Sequence, residues 1–442
     1  MALLTAPAAD ARTPARSRAR SRVSARVSST PGRLTLLAVF LSVLAVLAGT
    51  ATVVGLLQRA ASVRAVQTSS GPLTVQAQQL YRSLSDADAT AASAFLSNGV
   101  EPAALRDRYQ SDIAAATAAL AAVTAGGDTD RGDVDRISAQ LPVYTGLVET
   151  ARTYNRLGRP LGAAYLREAS GLMRAQLLPA AQRLYAAETG QLREDRSGGA
   201  EFPWLAVPLL LLTLAGLILA QRLLARRTRR LFNVGLLVAT AATLVMLVWT
   251  TVSWAVVRSH LDAGQRTGSG QVELLAQARI AALQARADES LTLVARGSGG
   301  DFDKDFDASM NTLAGKGGAG LLARARQAAS GPGVGAAVID AQMRAEDWRK
   351  AHKQLRDKDN SGDYLGALTL AIGADPASAA SAFTKLDTDL ATAISGASGE
   401  FDREAAAAAG DFTGAAPGAV VLTLILVAGL LVGLQRRIAE YR

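Results

Sequence analysis

The chain of 442 residues contains no cysteine, only two histidines and few aromatic residues. Without cysteine it has no disulfide, no thiolate metal ligand and no cysteine nucleophile. Two histidines, His260 and His352, are too few for a multi-histidine metal site. The sequence also holds no glycine-rich phosphate loop and no serine nucleophile elbow. We therefore predict that the chain is not an enzyme and that it needs no cofactor or metal.

Ionisable side chains are missing from the middle of four long apolar stretches. A helix needs roughly 20 apolar residues to cross a hydrocarbon core of about 30 Å. The predicted transmembrane spans are residues 34–57, 202–220, 231–257 and 417–434. The first is also compatible with a cleaved signal peptide, because a basic leader precedes it and Gly49-Thr50-Ala51 offers small residues for cleavage. Its apolar stretch is longer than that of the usual signal peptide.

The net charge of +9 is concentrated in the short segments next to the spans. Residues 1–33, 221–230 and 435–442 carry +6, +5 and +2, whereas residues 58–201 are neutral and residues 258–416 carry −4. Excess Arg and Lys flank spans on the cytoplasmic side. We therefore expect a multi-pass protein of the inner (plasma) membrane, with both termini in the cytoplasm and both long segments outside.

The arginines beside the spans are the predicted contacts to membrane lipid or to a cytoplasmic partner. They are Arg222, Arg226, Arg227, Arg229, Arg230, Arg436 and Arg437. A nucleic-acid-binding protein gathers its basic residues on a folded face. Because these arginines flank spans instead, we predict that the chain binds no nucleic acid.

The two long segments show helical periodicity and no sustained alternation of the kind that strands show. In the last predicted helix of each, apolar residues follow one another at steps of three and four, from Leu166 to Leu184 and from Phe383 to Phe401. Glycine and proline mark the breaks between helices. The predicted helices are residues 60–98, 101–125, 132–157 and 161–197, then 258–296, 302–330, 334–358 and 363–412. The predicted fold class is an all-α membrane protein with four transmembrane helices and two extracytoplasmic four-helix bundles.

The two outer segments are predicted to be a tandem repeat. Ala87-Asp88 matches Ala287-Asp288 at an offset of 200 residues. The stretch that begins at Tyr144 and ends in Leu-Gly-Ala matches one that begins at Trp348, at an offset of 204. Repetition at a fixed period indicates copies of one structural module.

Two acidic runs have the residue types of cation ligands. Residues 357–363 resemble the first half of an EF-hand loop, but Leu368 stands where a bidentate Glu closes that loop. Alternating acids in residues 301–307 suit either a cation or the positive end of a helix dipole. For residues 357–363 we favour a polar turn between helices, capped by Asp or Ser, and for residues 301–307 we favour the start of a helix. We interpret His352, beside Trp348, as a structural or solvated residue.

The few aromatic residues of the outer segments could form a ligand pocket, a docking face or the core of the bundles. These alternatives stay open for Tyr144, Tyr154, Tyr165, Trp348 and Tyr364. In the third span, Gly235 and the small residues that follow it favour close packing of helices in lipid.

In length, four-span order and basic cytoplasmic segments, the chain resembles actinobacterial membrane proteins of the GlnX type. This resemblance implies a non-enzymatic signal-relay subunit between an extracytoplasmic Asp/Glu-binding lipoprotein and a cytoplasmic Ser/Thr protein kinase. The span–bundle–span unit also resembles the sensing half of chemoreceptors and histidine kinases. A structural or scaffolding envelope protein without signal transmission, and a direct small-ligand receptor, are the alternatives. The ligand and the oligomeric state, a homodimer included, stay open.

Overall fold

The computed structural model describes residues 30–97, 100–126, 131–228, 233–263, 270–315, 318–329, 331–410 and 415–439. Over these residues the chain is helical and contains no strand, which confirms the all-α class. The chain divides into two compact units. One holds the apolar helices and the other holds the two long segments, Arg59–Glu201 and Val256–Asp411.

The α-helices are numbered in chain order. They are α1 (Thr30–Ala65), α2 (Gly71–Phe95), α3 (Ala103–Ala125), α4 (Arg131–Arg156), α5 (Leu161–Leu172), α6 (Leu178–Ala200), α7 (Ala206–Thr228), α8 (Val234–Ala263), α9 (Gly270–Val294), α10 (Gly300–Ala314), α11 (Leu321–Gln327), α12 (Pro332–Asn360), α13 (Tyr364–Ile372), α14 (Ala379–Gly410) and α15 (Ala415–Ala439). Short π-helical turns join α1 to α2 (Val66–Ser70) and α5 to α6 (Met173–Leu177).

Helices α1, α7, α8 and α15 contain stretches that are long and apolar enough to cross a membrane. The chain is therefore a multi-pass membrane protein. Small residues bring these helices close together. A Cβ atom added at Gly49 of α1 would lie 2.3 Å from the Thr423 side chain of α15, and one added at Gly216 of α7 would lie 2.6 Å from Leu41 of α1.

The backbones of α8 and α15 also approach each other closely. A Cβ atom at Gly235 would lie 2.5 Å from the carbonyl oxygen of Gly429 and 2.7 Å from Cα of Gly433. The Asn233 side-chain amide donates a hydrogen bond to the Gly433 carbonyl over 2.7 Å. The predicted close packing around Gly235 is thus confirmed. Its counterpart is a G-x-x-x-G pair, the spacing that lets two helix backbones meet in lipid.

The two long segments share one hydrophobic core in the second unit. Helices α2 and α9 lie side by side at its centre and run in the same direction. The hydroxyl oxygens of Ser93 and Ser290 are 3.1 Å apart, and Tyr81 is hydrogen-bonded with Gln284. The sequence predicted a separate bundle for each segment, whereas the structure places both in one unit. The tandem repeat stays a prediction.

Three predicted helices have different bounds in the structure. Helix α1 continues through the π turn into α2, so the helical run starts well before residue 60. The predicted helix 302–330 is interrupted between α10 and α11, where Gly318 and Gly320 adopt φ angles of 81° and 135° that suit glycine. The predicted helix 363–412 is interrupted before α14, around Pro376, because proline cannot donate a helical hydrogen bond.

Candidate functional site

Ionisable residues are buried along the two central helices. Asp86 and Asp88 of α2 and Asp288 and Glu289 of α9 are each no more than 4% exposed. Burying a charge costs several kcal/mol unless partners compensate it. We call these four residues and their direct partners the charged seam, and we take it as the candidate functional site.

Glu289 is the most completely buried member of the charged seam, at 0% exposure. Trp348 Nε1 donates to its Oε1 over 3.1 Å, His352 Nδ1 lies 3.0 Å from the same oxygen, and Arg286 Nη1 donates to Oε2 over 2.6 Å. Burial opposes ionisation, but the hydrogen bond from His352 and the charge of Arg286 outweigh it, so the pKa of Glu289 is lowered.

His352 connects Glu289 to α10. Its Nε2 atom lies 3.1 Å from Asp303 Oδ1, and its ring stacks on Phe306 with centroids 3.5 Å apart. Burial lowers the pKa of His352, but the hydrogen bonds with Asp303 and Glu289 outweigh burial and raise it. His352 therefore links α9, α10 and α12 through its two ring nitrogens, which supports its interpretation as a structural residue.

Asp88 and Asp288 lie on either side of Arg174, which belongs to the π turn between α5 and α6. Ser170 Oγ donates to Asp88 over 2.7 Å, and Tyr144 donates to the same oxygen over 3.4 Å. Arg174 Nη1 lies 2.5 Å from Asp288 Oδ1. Both carboxylates and Arg174 line a cavity of about 290 Å³.

Burial raises the pKa of both of these aspartates. It raises the pKa of Asp88 although Arg174 opposes the change. It raises the pKa of Asp288 to about 7, again against the effect of Arg174. Carboxylates with strongly perturbed pKa values occur often at functional sites. The arrangement can take up or release a proton near neutral pH at the junction of the two segments.

Beside Asp86, ion pairs to Asp387 join the two segments. Arg108 of α3 lies 2.8 Å from Asp86 Oδ1 and 3.4 Å from Asp387 of α14. Asp387 also accepts from Arg279 Nε of α9 over 2.6 Å. Asp387 therefore has guanidinium partners from both segments, and a relative shift of the two would break one of them.

The five aromatic residues singled out by the sequence form no single pocket. Tyr144 and Trp348 are fully buried and donate to Asp88 and Glu289, so no partner reaches their rings in this conformation. Tyr154 and Tyr165 are half-buried and stack on each other with centroids 5.6 Å apart. Tyr364 lies under the Arg296 guanidinium, 4.7 Å from its ring centroid.

The structure describes only part of the arginine set. Arg222 is exposed on α7. Arg226 and Arg227 are residues of α7, and Arg436 and Arg437 are residues of α15; their side chains are outside the described part. Arg229 and Arg230 lie outside the described residues. The contact of these arginines to lipid or to a partner stays a prediction.

Both acidic runs place acids at the start of a helix, one as an N-cap and the other in a first turn. Asp363 is the N-cap of α13 and accepts from the Gly366 N–H over 2.9 Å. Asp301 and Asp303 stand in the first turn of α10. Within the residues that the structure describes, no group of three or more His, Asp or Glu residues could hold a metal ion.

Sequence reasoning pointed to Asp88 and Asp288 only as matching positions, and it missed Glu289, Arg286 and Arg174. One signal was present: charged residues interrupt alanine-rich helices, as in Ala87-Asp88-Ala89. A helix whose faces are all apolar is buried, and charged residues are almost never fully buried unless they are paired.

Residues 62–197 match a family model described as an actinobacterial sensor domain. The matched stretch contains α2 to α5 and most of α6, and with them Asp86, Asp88 and Arg174 of the charged seam. The match supports a sensor-type actinobacterial protein with a sensing role. No curated protein and no solved structure matches the chain.

Proposed function

We propose that the chain is a non-enzymatic signal-relay subunit of the cell membrane. The match of residues 62–197 to a sensor domain carries the proposal. The first helix within that stretch, α2, continues α1 without a break in the helix, and α1 is apolar and long enough to cross a membrane. A displacement of α2 along its axis is therefore passed directly to α1.

The partner that delivers the input signal is an extracytoplasmic solute-binding protein of the Asp/Glu-binding type. The ion pairs beside the charged seam support a switch at this side, because Asp387 pairs with arginines from both segments. Docking of a loaded binding protein that favours one arrangement of the segments would change these ion pairs. A ligand shifts a two-state equilibrium only through such a difference in affinity.

The partner that receives the output signal is a cytoplasmic Ser/Thr protein kinase, which the arginines that flank the spans bind. This orientation rests on the positive-inside rule. Export-dependent reporter fusions at Gly127 and Gly318 test it, since both should be active only outside the cytoplasm. A fusion after Arg442 should be active only in the cytoplasm, and activity of that fusion outside would refute the proposed orientation.

The relay itself is tested by crosslinking and pull-down from cells. We expect that changing Arg226, Arg227 and Arg229 to Gln lowers kinase recovery, while the remaining arginines keep the topology. The matched control changes the same residues to Lys, which keeps the charge. Recovery from the wild type should also weaken with added salt, because exposed charges are screened over about 8–10 Å. Unchanged kinase recovery with the Gln variant, in the correct topology, would remove this loop from the relay.

A further inference from the structure

A second and larger cavity lies in the unit formed by the two long segments. It encloses about 710 Å³, within the range of roughly 300–1,000 Å³ that holds a drug-sized ligand. Its walls come from α2, α6, α9 and α14, so both segments contribute. Tyr185, Leu192 and Val272 supply apolar surface. We call it the arginine cavity, after the two charged residues that line it from α6.

Those two residues, Arg193 and Arg196, give the arginine cavity an excess of positive charge. Arg193 Nη2 lies 3.1 Å from Glu273 Oε2 of α9. Glu273 is the one carboxylate among the described residues of the lining, against two guanidinium groups. Guanidinium groups bind carboxylates and phosphates through two parallel hydrogen bonds. The lining therefore combines an apolar wall with a net positive end.

The electrostatics of Arg196 agree with this geometry. Its pKa is lowered to about 10, because burial and then repulsion from Arg193 disfavour its charged form. An anion in the cavity would stabilise that charged form. A cation would add to the repulsion and destabilise it further.

A rare backbone feature forms part of the same wall. The π turn Val66–Ser70 contributes Val66 and Gln67 to the lining. A Cβ atom at Gly71 would lie 2.2 Å from the Val66 carbonyl oxygen, so the turn leaves no room for a side chain at this position. Single π turns inside α-helices are frequent at functional sites. This observation is independent of the charge of the cavity.

We propose that the arginine cavity binds an organic anion with an apolar body, whose carboxylate or phosphate is held by Arg196 and Arg193. The site makes the chain a ligand-binding protein in its own right. Anion binding in this cavity does not depend on whether the chain relays a signal to a kinase, so either proposal can be refuted without the other.

Equilibrium dialysis of the full chain in phosphatidylcholine nanodiscs tests the proposal, with empty nanodiscs as the blank. The probes are 2-naphthoate, neutral 2-naphthalenemethanol and cationic 2-naphthylmethylamine, which share one apolar body. We expect saturable binding in the order anion, neutral probe, cation. Arg196→Gln should weaken 2-naphthoate binding roughly tenfold or more, the usual effect of losing a charged hydrogen bond. Arg167→Gln, on the exposed face of α5 outside the cavity, is the matched control and should bind like the wild type.

A second variant tests the location without removing a charge. Val75 lines the cavity and is 59% exposed, so Val75→Trp narrows the opening without disturbing the core. It should lose 2-naphthoate binding while keeping the wild-type melting temperature. Binding that is absent from the wild type, equal for anion and cation, retained in a folded Val75→Trp chain, or weakened equally by Arg167→Gln would overturn the proposal.

One further measurement distinguishes the two sources of such an anion, a lipid headgroup and a soluble molecule. In nanodiscs that contain anionic phosphatidylglycerol, competition with 2-naphthoate would assign the arginine cavity to a lipid headgroup. Undiminished binding there would assign it to a soluble anion. Either result supports an anion site, because both ligands place an oxyanion against Arg196.

Discussion

Asp112 of α3 provides a direct test of how burial controls the charges around the seam. It is 8% exposed, and its Oδ2 atom has no hydrogen-bond partner among the described residues. Burial, and then the nearby charge of Asp86, raise its pKa from 3.8 to about 7, although Arg108, Arg82 and Arg279 oppose the change. The ionised form of Asp112 is thus disfavoured in the folded chain.

The substitution Asp112→Asn removes this charge with little change in shape. One pKa unit corresponds to about 1.4 kcal/mol, so the ionised carboxyl costs at most about 4 kcal/mol. A pKa that is higher in the folded state means that folding is favoured while the group is protonated. The stability that protonated Asp112 contributes is fully present below pH 3.8 and is lost as the pH rises to about 7 and above. We therefore expect the Asn variant to be more stable than the wild type at pH 8, by up to a few kcal/mol, and similar to it near pH 4.

The assay is urea unfolding of the full chain in nanodiscs between pH 4 and pH 8, followed by near-ultraviolet circular dichroism. Asp107→Asn, one turn earlier on the exposed side of α3, is the control and should follow the wild type at every pH. An Asn variant that is less stable than the wild type at pH 8 would refute the reasoning. It would mean that the ionised carboxylate is held favourably by the surrounding arginines.

Two further substitutions test the packing of each unit. Glu289→Ala leaves the buried charge of Arg286 and the ring of His352 without their partner, so we expect the free energy of unfolding by urea to fall by about 3–5 kcal/mol. Glu346→Ala, at an exposed ion pair, should change stability by at most about 1 kcal/mol. Among the spans, Gly235→Ala should cost about 1–3 kcal/mol through overpacking and lower the melting temperature. Gly418→Ala is the control and should be tolerated, because its added Cβ atom would lie 3.5 Å from the nearest side chain. Equal melting temperatures for the two variants would contradict the close contact at Gly235.

The parts of the fold that could be predicted are those with a local signal. Long apolar stretches without charge identified the four spans, because crossing a bilayer sets both length and composition. Glycine identified turns: Gly158 and Gly362, with φ angles of 65° and 85°, stand where the sequence predicted breaks. The interruption after α13 was missed, although Pro376 was a signal for it.

The arrangement of the charged seam could not be predicted in the same way. Asp88 and Glu289 look alike in sequence, as acids within alanine-rich helices. Their pKa values shift in opposite directions, because Glu289 has His352 and Arg286 as partners and Asp88 has mainly neutral hydroxyl donors. These partners come from other helices, and no local pattern specifies them. The aromatic residues Tyr144 and Trp348 were found by their rarity, but their hydrogen bonds to the seam required the structure.

The central helix pair has a consequence for how the protein is made. The residues of the Ser93–Ser290 contact are 197 positions apart in the chain. At about 5–20 residues per second, a ribosome needs on the order of 10–40 s to synthesise the chain between them. During that time the buried face of α2 has no α9 to cover it, and polar residues such as Asp86 lack part of their final environment. Biogenesis therefore passes through an incomplete chain with an uncovered helix face, on which chaperones and proteases can act before synthesis ends.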